Sequence, residues 1–323
     1  MASTNVPPEA LRDKTVAIVG YGNQGRAQAL NLRDRNVSVI VGARPGPGAE
    51  QAHSDGFTVL PLEQAVIRGD VVMLLLPDHV LPDLFAGFRP HFAAGRRVFG
   101  LSHAYVLKYR LIEPPSGARY FLVGPKGAGR ILRQNFEAGH GLPAVYALSD
   151  ASDRELEALA LAYAEAIGCR SSWLLPTSFD HETEGDLFGE QAVLCGGLLA
   201  LLEASFEELV KNGHDPKTAF FDCCYEAVLI LRLWLDVGPK GLSERISPTA
   251  FYGGFTRGAR VVSPAVREEL TKIFAEVRDG RFDREWREEV AAGAPRLRKE
   301  RARIASSLLE RTYAELAGKL KGP

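Results

Sequence analysis

The sequence predicts an α/β protein: a parallel sheet covered on both faces, followed by an all-helical portion. Three observations lead there. Apolar runs bounded by turn residues recur through the first 178 residues, and runs with so little alternation belong to strands buried on both faces. Helical stretches separate these runs, which is the order of strand, crossover helix and parallel strand. After Pro176 the texture changes to long segments with wide apolar faces at helical spacing. The expected units are residues 1–178, the sheet domain, and 179–323, the helical domain.

Taken in order, TVAIVG at 15–20 reads as the first strand and runs straight into YGNQGRAQALNLRD, where Ala27, Leu30 and Leu32 are spaced for a helix. NVSVIVGAR, DVVMLLLP and RRVFGLSHA supply the second, third and fourth strands, with a helix over 62–67. ARPGPGAE at 43–50 carries too much Gly and Pro for regular structure. Two more strands are expected in ARYFLVGP and LPAVYALS, then a helix in DRELEALALAYAEAIG and a closing strand in CRSSWLL. In the second half, EQAVLCGGLLALLEASFEELVKNG reads as one long helix. DPKTAFFDCCYEAVLILRLWLDVG reads as another, with Asp215 as its cap and Pro216 in its first turn. A last pair of helical segments follows in VREELTKIFAEVRDGRF and RLRKERARIASSLLERTYAELAGK.

Composition narrows the function classes. Lys and Arg number 39 against 40 Asp and Glu, a balance that excludes the basic footprint of a nucleic-acid binder. No apolar run approaches the roughly 20 residues of a membrane span, and the N-terminal MASTNVPPEALRDK has no signal-peptide core. Cys169, Cys195, Cys223 and Cys224 contain no CxxC pair and suit a reducing compartment. A cytoplasmic protein with neither membrane nor nucleic-acid partner is expected. The broad apolar faces of the helical portion call for burial against another chain.

Gly20, Gly22 and Gly25 form GxGxxG at the junction of a strand and a helix. In that context the first glycine permits a tight turn, the second admits a pyrophosphate and the third lets helix and sheet pack closely. A glycine turn without a cofactor is the structural alternative. After the second strand an acidic residue would grip the ribose of NAD; Arg44 stands there instead and suits the 2′-phosphate of NADP. The following Pro45, Gly46, Pro47 and Gly48 offer that phosphate neither a hydroxyl nor a second cation, so NADPH is expected and NADH remains admissible.

Asp186 and Glu190 stand four residues apart in HETEGDLFGEQAV, and Asp222 and Glu226 repeat the spacing in FFDCCYEAV. Each pair shares a helix face beside bulky apolar residues. Facing one another, they would make an oxygen-rich cage suited to Mg²⁺; the alternative is solvated surface acids. His103, in LSHAY, falls at the C-terminal edge of the sheet, where ligands of open α/β sheets collect, although a lone histidine there also suits a structural role. Lys126, among the glycines of VGPKGAG, is placed to meet an anionic substrate or order water near a metal.

In sequence order, GYGNQGRAQA, LLLPD, LSHAY, VGPKGAG, ETEGDLFGEQAVLCGG and RISPTAFYG resemble the short form (class I) of ketol-acid reductoisomerase, and the likeness runs on to FDREWREEVAAGAPRLRKERAR. The resemblance implies a Rossmann-like parallel sheet domain followed by an all-helical knotted domain, and a homodimer with shared active sites. It implies two Mg²⁺ ions holding a 2-aceto-2-hydroxy acid during alkyl migration, then reduction by NADPH to a 2,3-dihydroxy acid. On the family motif, Asp186 falls at the ligand bridging both metals, Glu190 at a partner ligand, and Asp222 and Glu226 at the pair serving the second metal. His103 and Lys126 fall at the active-site histidine and lysine, and Ser247 at the contact to the substrate carboxylate. Gly20, Tyr21, Gly22, Asn23, Gln24, Gly25, Arg44, Gly46, Gly48, Leu76, Pro77 and His103 fall around the dinucleotide.

The chain departs from the family pattern at Asp222, where Glu is usual, at Ala104 and Tyr105 after the histidine, at Tyr225 and Ala227 on either side of Glu226, and at Pro248 and Phe251 near the substrate carboxylate. These departures leave open an altered substrate or a 2-keto acid reductase without the isomerase step. A cofactor-binding structural or regulatory homologue is the non-enzymatic alternative.

Overall fold

The computed structural model describes residues 8–95 and 97–320. The chain divides into two compact units, Met1–Gly185 and Asp186–Pro323.

The first unit is built on eight strands: β1 (Thr15–Val19), β2 (Ser38–Gly42), β3 (Thr58–Leu60), β4 (Val71–Leu74), β5 (Val98–Leu101), β6 (Arg119–Pro125), β7 (Leu142–Leu148) and β8 (Cys169–Pro176). Their spatial order is β3-β2-β1-β4-β5-β6-β7-β8. The reversal of strand order occurs at β1, which pairs in parallel with β2 (Val19 opposite Gly42) and with β4 (Val16 opposite Val71). Every residue of β4 and β5 is buried, so both faces of the sheet are covered, as their unalternating apolar sequences require. Val16, Ile18, Val41, Met73, Phe121 and Tyr163 belong to one core cluster, and burial of each aliphatic side chain contributes about 1.5–3 kcal/mol.

The helices of this unit are α1 (Asn23–Asp34), α2 (Pro47–Ser54), α3 (Leu62–Arg68), α4 (Leu81–Phe88), α5 (Tyr105–Lys108), α6 (Gly129–Glu137), α7 (Arg154–Ala166) and α8 (Phe179–Gly189). Asp153 caps α7 by accepting the Leu156 N–H. Helix α8 is fastened to the first unit by Lys108, whose ammonium lies 2.5 Å from Glu184 and 3.5 Å from Asp180. It runs on across the division at Gly185.

Three expectations for this unit are corrected. Strand β3 is additional, a three-residue edge strand too short to leave a periodic signal. The Gly/Pro stretch 43–50 is not irregular throughout: α2 begins at Pro47, whose fixed φ suits a first helical turn. The sheet is mixed. Strand β7 runs antiparallel to β6 (Phe121 opposite Leu148) and β8 follows it in parallel, because α6 returns the chain to the far side of β6 and not to a further crossover.

The second unit is helical: α9 (Gly197–Lys211), α10 (Pro216–Phe220), α11 (Glu226–Arg245), α12 (Pro248–Val261), α13 (Pro264–Arg278), α14 (Arg281–Ala291), α15 (Pro295–Ala305) and α16 (Leu308–Leu320). Asp215 caps α10 through the Lys217 and Thr218 N–H groups, as expected. The first long helix is interrupted by a π-turn at Glu190–Leu194 and a break at Cys195–Gly196. The second contains a π-turn at Phe221–Tyr225 and a kink at Gly238 (φ 70°), next to Pro239. The expected last pair is four helices, parted at Asp279–Gly280 and Ser306–Ser307.

A small core of Phe206, Ala219, Phe220 and Leu316 centres this unit. Against it stands a broad exposed apolar surface on α11 and α12, where Leu231, Trp234, Tyr252 and Phe255 lie open and Leu235 is 78% exposed. Among the described residues no helix is long and apolar enough to cross a membrane.

Candidate active site

The strand-order reversal at β1 opens a crevice at the C-terminal ends of β1 and β4, the usual ligand site of such sheets. Gly20 holds φ 104°, and a Cβ there would lie 2.6 Å from the Leu75 carbonyl oxygen. A Cβ at Gly25 would collide with the Gly20 carbonyl. The fold therefore requires both glycines. Gly22 differs: its φ of −93° is open to any residue, and a Cβ would meet nothing within 4 Å. The fold itself does not require a glycine here, and the missing Cβ leaves room for a ligand against the backbone. No side chain caps the start of α1, and the first-turn N–H groups of Asn23, Gln24 and Gly25 supply the donors and positive dipole that a pyrophosphate takes. These residues fit a dinucleotide.

The β2 side of the crevice is braced by Asp55, which directly follows α2. Its carboxylate accepts from Tyr21 Oη (2.8 Å), Arg26 Nε (2.7 Å), Arg26 Nη2 (3.1 Å) and Gln51 Nε2 (3.1 Å). The Arg26 hydrogen bond, helped by that of Tyr21, lowers the Asp55 pKa to about 2. Burial, then the Asp55 hydrogen bond, raises the pKa of the Tyr21 hydroxyl. The first turn of α2 consequently rests on the fingerprint, with the site of a Gly48 Cβ 3.4 Å from the Tyr21 carbonyl. Gly46 sits at the turn into that helix, and Arg44 is exposed just before it. On the opposite side the Leu76 backbone nitrogen lies against Gly20, and the Pro77 carbonyl starts the turn into α4 by accepting from Val80 and Leu81.

His103 follows β5 and is held by a residue the sequence reading passed over. Glu182, on α8 and only 4% exposed, places Oε1 3.1 Å from His103 Nδ1 and accepts the Ala104 N–H at Oε2 (2.9 Å). The site of a Gly124 Cβ lies 3.4 Å from Oε1, so this carboxylate sits where β5 and β6 end. Lys126, two residues beyond Gly124, is exposed and anchored through its backbone N–H to the Pro143 carbonyl (2.9 Å). Asp186 stands one turn beyond Glu182 on α8, and His103, Glu182 and Asp186 offer ligand atoms all within 4.8 Å of one another. This group can hold a metal ion. Among the described residues no other group of three or more His, Cys, Asp or Glu comes as close. The signal for Glu182 was in the sequence: it precedes Asp186 by four residues, the spacing that singled out Glu190.

Glu190 opens the first π-turn; Asp222 lies within the second and Glu226 directly follows it. Both expected carboxylate pairs thus sit where a helix carries an extra residue, a distortion common at functional sites. Asp222 and Glu226 are exposed on the second unit, outside the His103 group. Their oxygen donors suit a hard divalent cation. Ser247 is also exposed, and its Oγ caps α12 by accepting the Ala250 N–H at 3.1 Å.

Comparison with known proteins agrees with this geometry. Residues 10–172 match the family model described as acetohydroxy acid isomeroreductase, NADPH-binding domain, and residues 179–321 match ketol-acid reductoisomerase, C-terminal domain. A ketol-acid reductoisomerase (NADP(+)) of Methanocaldococcus jannaschii is 40% identical over 310 residues, covering 95% of this chain and 94% of that protein. The structure of an NADH-preferring ketol-acid reductoisomerase from an uncultured archean superposes with a TM-score of 0.91 at 36% identity, covering 97% of this chain and 96% of that one. A pyrroline-5-carboxylate reductase of Coxiella burnetii shares the fold alone, with a TM-score of 0.57 at 16% identity over 82% of this chain and 96% of that one. With both family models matched and these similarities spanning nearly its whole length, the chain belongs to the ketol-acid reductoisomerase family.

Proposed function

We propose that this chain, an NAD(P)H-dependent ketol-acid reductoisomerase, acts on 2-acetolactate or a close relative, with two Mg²⁺ ions and a preference for NADPH that leaves NADH usable. The convergence of His103, Glu182 and Asp186 beside a dinucleotide fingerprint is the observation that carries this reading. When bound, the metal ions polarise the substrate ketone and its hydroxyl, and the dinucleotide supplies the hydride.

The protein's own residues do the rest. Asp186 and Glu190 serve as ligands from α8 and its π-turn, and Asp222 and Glu226 as ligands from the second π-turn. Asp222 is one methylene shorter than the usual glutamate, which would draw its carboxylate back, change the metal spacing or call for a bridging water. Glu182 accepts from His103 Nδ1 and so fixes the ring's tautomer and direction. The Lys126 ammonium balances the anionic substrate. Ser247 presents its hydroxyl, and the N-terminus of α12 behind it, to the substrate carboxylate.

Arg44 meets the 2′-phosphate of NADPH, while Pro45, Gly46, Pro47 and Gly48 offer no second cation, which admits NADH. The open apolar surface of α11 and α12 is far larger than scattered exposure explains; a second copy covers it in a homodimer, whose partner completes each site. Residues 1–178 bind the cofactor and 179–323 carry most metal ligands and the dimer contact, in a cytoplasmic enzyme.

The test is oxidation of NADPH and NADH with racemic 2-acetolactate, with and without Mg²⁺, beside the same assay on 3-hydroxy-3-methyl-2-oxobutanoate, with sedimentation velocity for the assembly. Metal-dependent oxidation with both compounds by a dimer is expected. Dinucleotide oxidation with only the rearranged keto acid would reduce the protein to its reductase half, and a monomer active at high dilution would remove the shared site.

A further inference from the structure

Helix α1 carries a glutamine in the interior of the sheet domain that packing does not explain. Gln28 is fully buried, and its amide uses both N–H donors and accepts one hydrogen bond at its oxygen. Nε2 donates to Ser102 Oγ (2.9 Å) and to Gln24 Oε1 (3.0 Å), and Oε1 accepts from Tyr163 Oη (2.6 Å). Gln24 carries the chain onward, its Nε2 donating to the Gly127 carbonyl (3.0 Å). Ser102 is the residue before His103, and Gly127 the residue after Lys126. One buried amide therefore joins the loop after β5, the loop after β6 and the first turn of the fingerprint helix. The last two also touch directly: a Cβ at Gly129 would collide with the Asn23 carbonyl, so the loop after β6 rests on the fingerprint turn.

We propose that Gln28 is a positioning residue for the reaction, holding His103 through Ser102 and Lys126 through Gln24 and Gly127 in one register with the bound dinucleotide. This rests on the roles given above to His103 and Lys126. An apolar side chain of the same length would pack α1 against the sheet without desolvating an amide, a cost that a buried polar group incurs unless fully bonded. Its three partners lie on three different elements, so no single helix or strand needs the amide for its own backbone. Tyr163, fully buried and donating from α7, holds the acceptor oxygen and thereby fixes which way the two donors point. A site built on three separate loops needs such a common reference, since misplacement of reacting groups by about 1 Å costs on the order of 10²-fold in rate.

The experiment uses full-length Gln28→Met, Ser102→Ala, the double variant and Tyr163→Phe, with two readouts. The first is kcat at saturating dinucleotide, with dinucleotide Kd measured separately. Gln28→Met is expected to lose at least about tenfold in kcat while Kd moves far less. The double variant should be no slower than Gln28→Met, because the bond between Gln28 and Ser102 is already lost in the single variant. The second readout needs no turnover: ring resonances of the seven histidines in histidine-labelled protein, with His103 identified by its loss in His103→Gln. The His103 signal should move in all three single variants and the other six should stay. An unmoved His103 signal, an unchanged kcat or additive losses would overturn the proposal. Tyr163→Phe keeps the ring and frees only the amide's orientation, so an unchanged kcat and His103 signal there would overturn it even if Gln28→Met failed to fold. A wild-type protein silent with both substrates would instead refute the reading of the reaction, and the histidine signals would still judge Gln28.

Discussion

Glu182 grips two consecutive residues at once: one carboxylate oxygen lies 3.1 Å from His103 Nδ1 and the other accepts the Ala104 N–H at 2.9 Å. The pairing fixes both the direction of the imidazole and the backbone that carries it. The Ala104 side chain is fully buried and packs with Leu122 and Ala147.

Glu182→Gln should therefore impair catalysis without unfolding the protein. The amide keeps the size and can still accept one of the two bonds, but not both with its former charge. A loss of about 10- to 100-fold in kcat is expected, with the melting temperature lowered by a few degrees at most. Steady-state oxidation of NADPH and a thermal melt check this together, and full activity would show that His103 is oriented by something else.

Metal dependence should appear in stability as well as in rate. A cation that binds the folded chain raises its melting temperature with concentration. In the wild type, Mg²⁺ titration followed by scanning fluorimetry should show this rise. Asp186→Asn should abolish both the rise and turnover, since it removes the carboxylate shared by the His103 group and the π-turn pair.

The fingerprint glycines should separate into two kinds. Gly22→Ala enters open space, so the melting temperature should hold while the dinucleotide Kd rises at least about tenfold, a loss of about 1.4 kcal/mol in binding. Gly25→Ala meets the Gly20 carbonyl and should destabilise the fold by about 2 kcal/mol or more. Calorimetric titration and denaturant melts on the two variants distinguish these outcomes.

The Asp55 brace predicts an acid limb. Its pKa is lowered from 3.8 to about 2, so the stabilisation is complete above the unfolded value and is lost as pH falls from about 4 through 2. Asp55 is 13% exposed but Arg26 is 49% exposed; allowing for solvent screening, the contribution is about 1–2 kcal/mol. Melts between pH 5 and pH 2 should show the wild type losing this increment and Asp55→Asn lacking it. Parallel curves would assign the acid limb to other carboxylates.

Much of the first unit was legible because its signals are local. Buried parallel strands write themselves as unalternating apolar runs, and Gly20, Gly22 and Gly25 stand at the one junction of strand and helix where their spacing has meaning. What escaped depends on distant partners. The antiparallel turn of β7 is decided by where α6 delivers the chain, β3 exists only through its pairing with β2, and Glu182 matters only once β5 and α8 are side by side. The π-turns were invisible for a different reason: Glu190–Leu194 and Phe221–Tyr225 carry no residue that a plain α-helix would refuse. The four-residue spacing of Asp186 and Glu190, and of Asp222 and Glu226, was legible as a pattern, because like charges beside apolar side chains are unusual in themselves; that Asp186 joins His103 and Glu182 was not.

Those two π-turns give the carboxylates a mechanical property. Each π-turn houses one residue more than the α-helical turn it replaces, and a regular helix would turn about 100° for that residue. Removing a single residue from either turn would let the coil close into a plain α-helix, keeping the downstream faces where they were and changing the spacing only of the side chains at the turn. The acids at the two turns thus sit at a local miscount in the winding, and a one-residue deletion corrects that count without disturbing the rod beyond it.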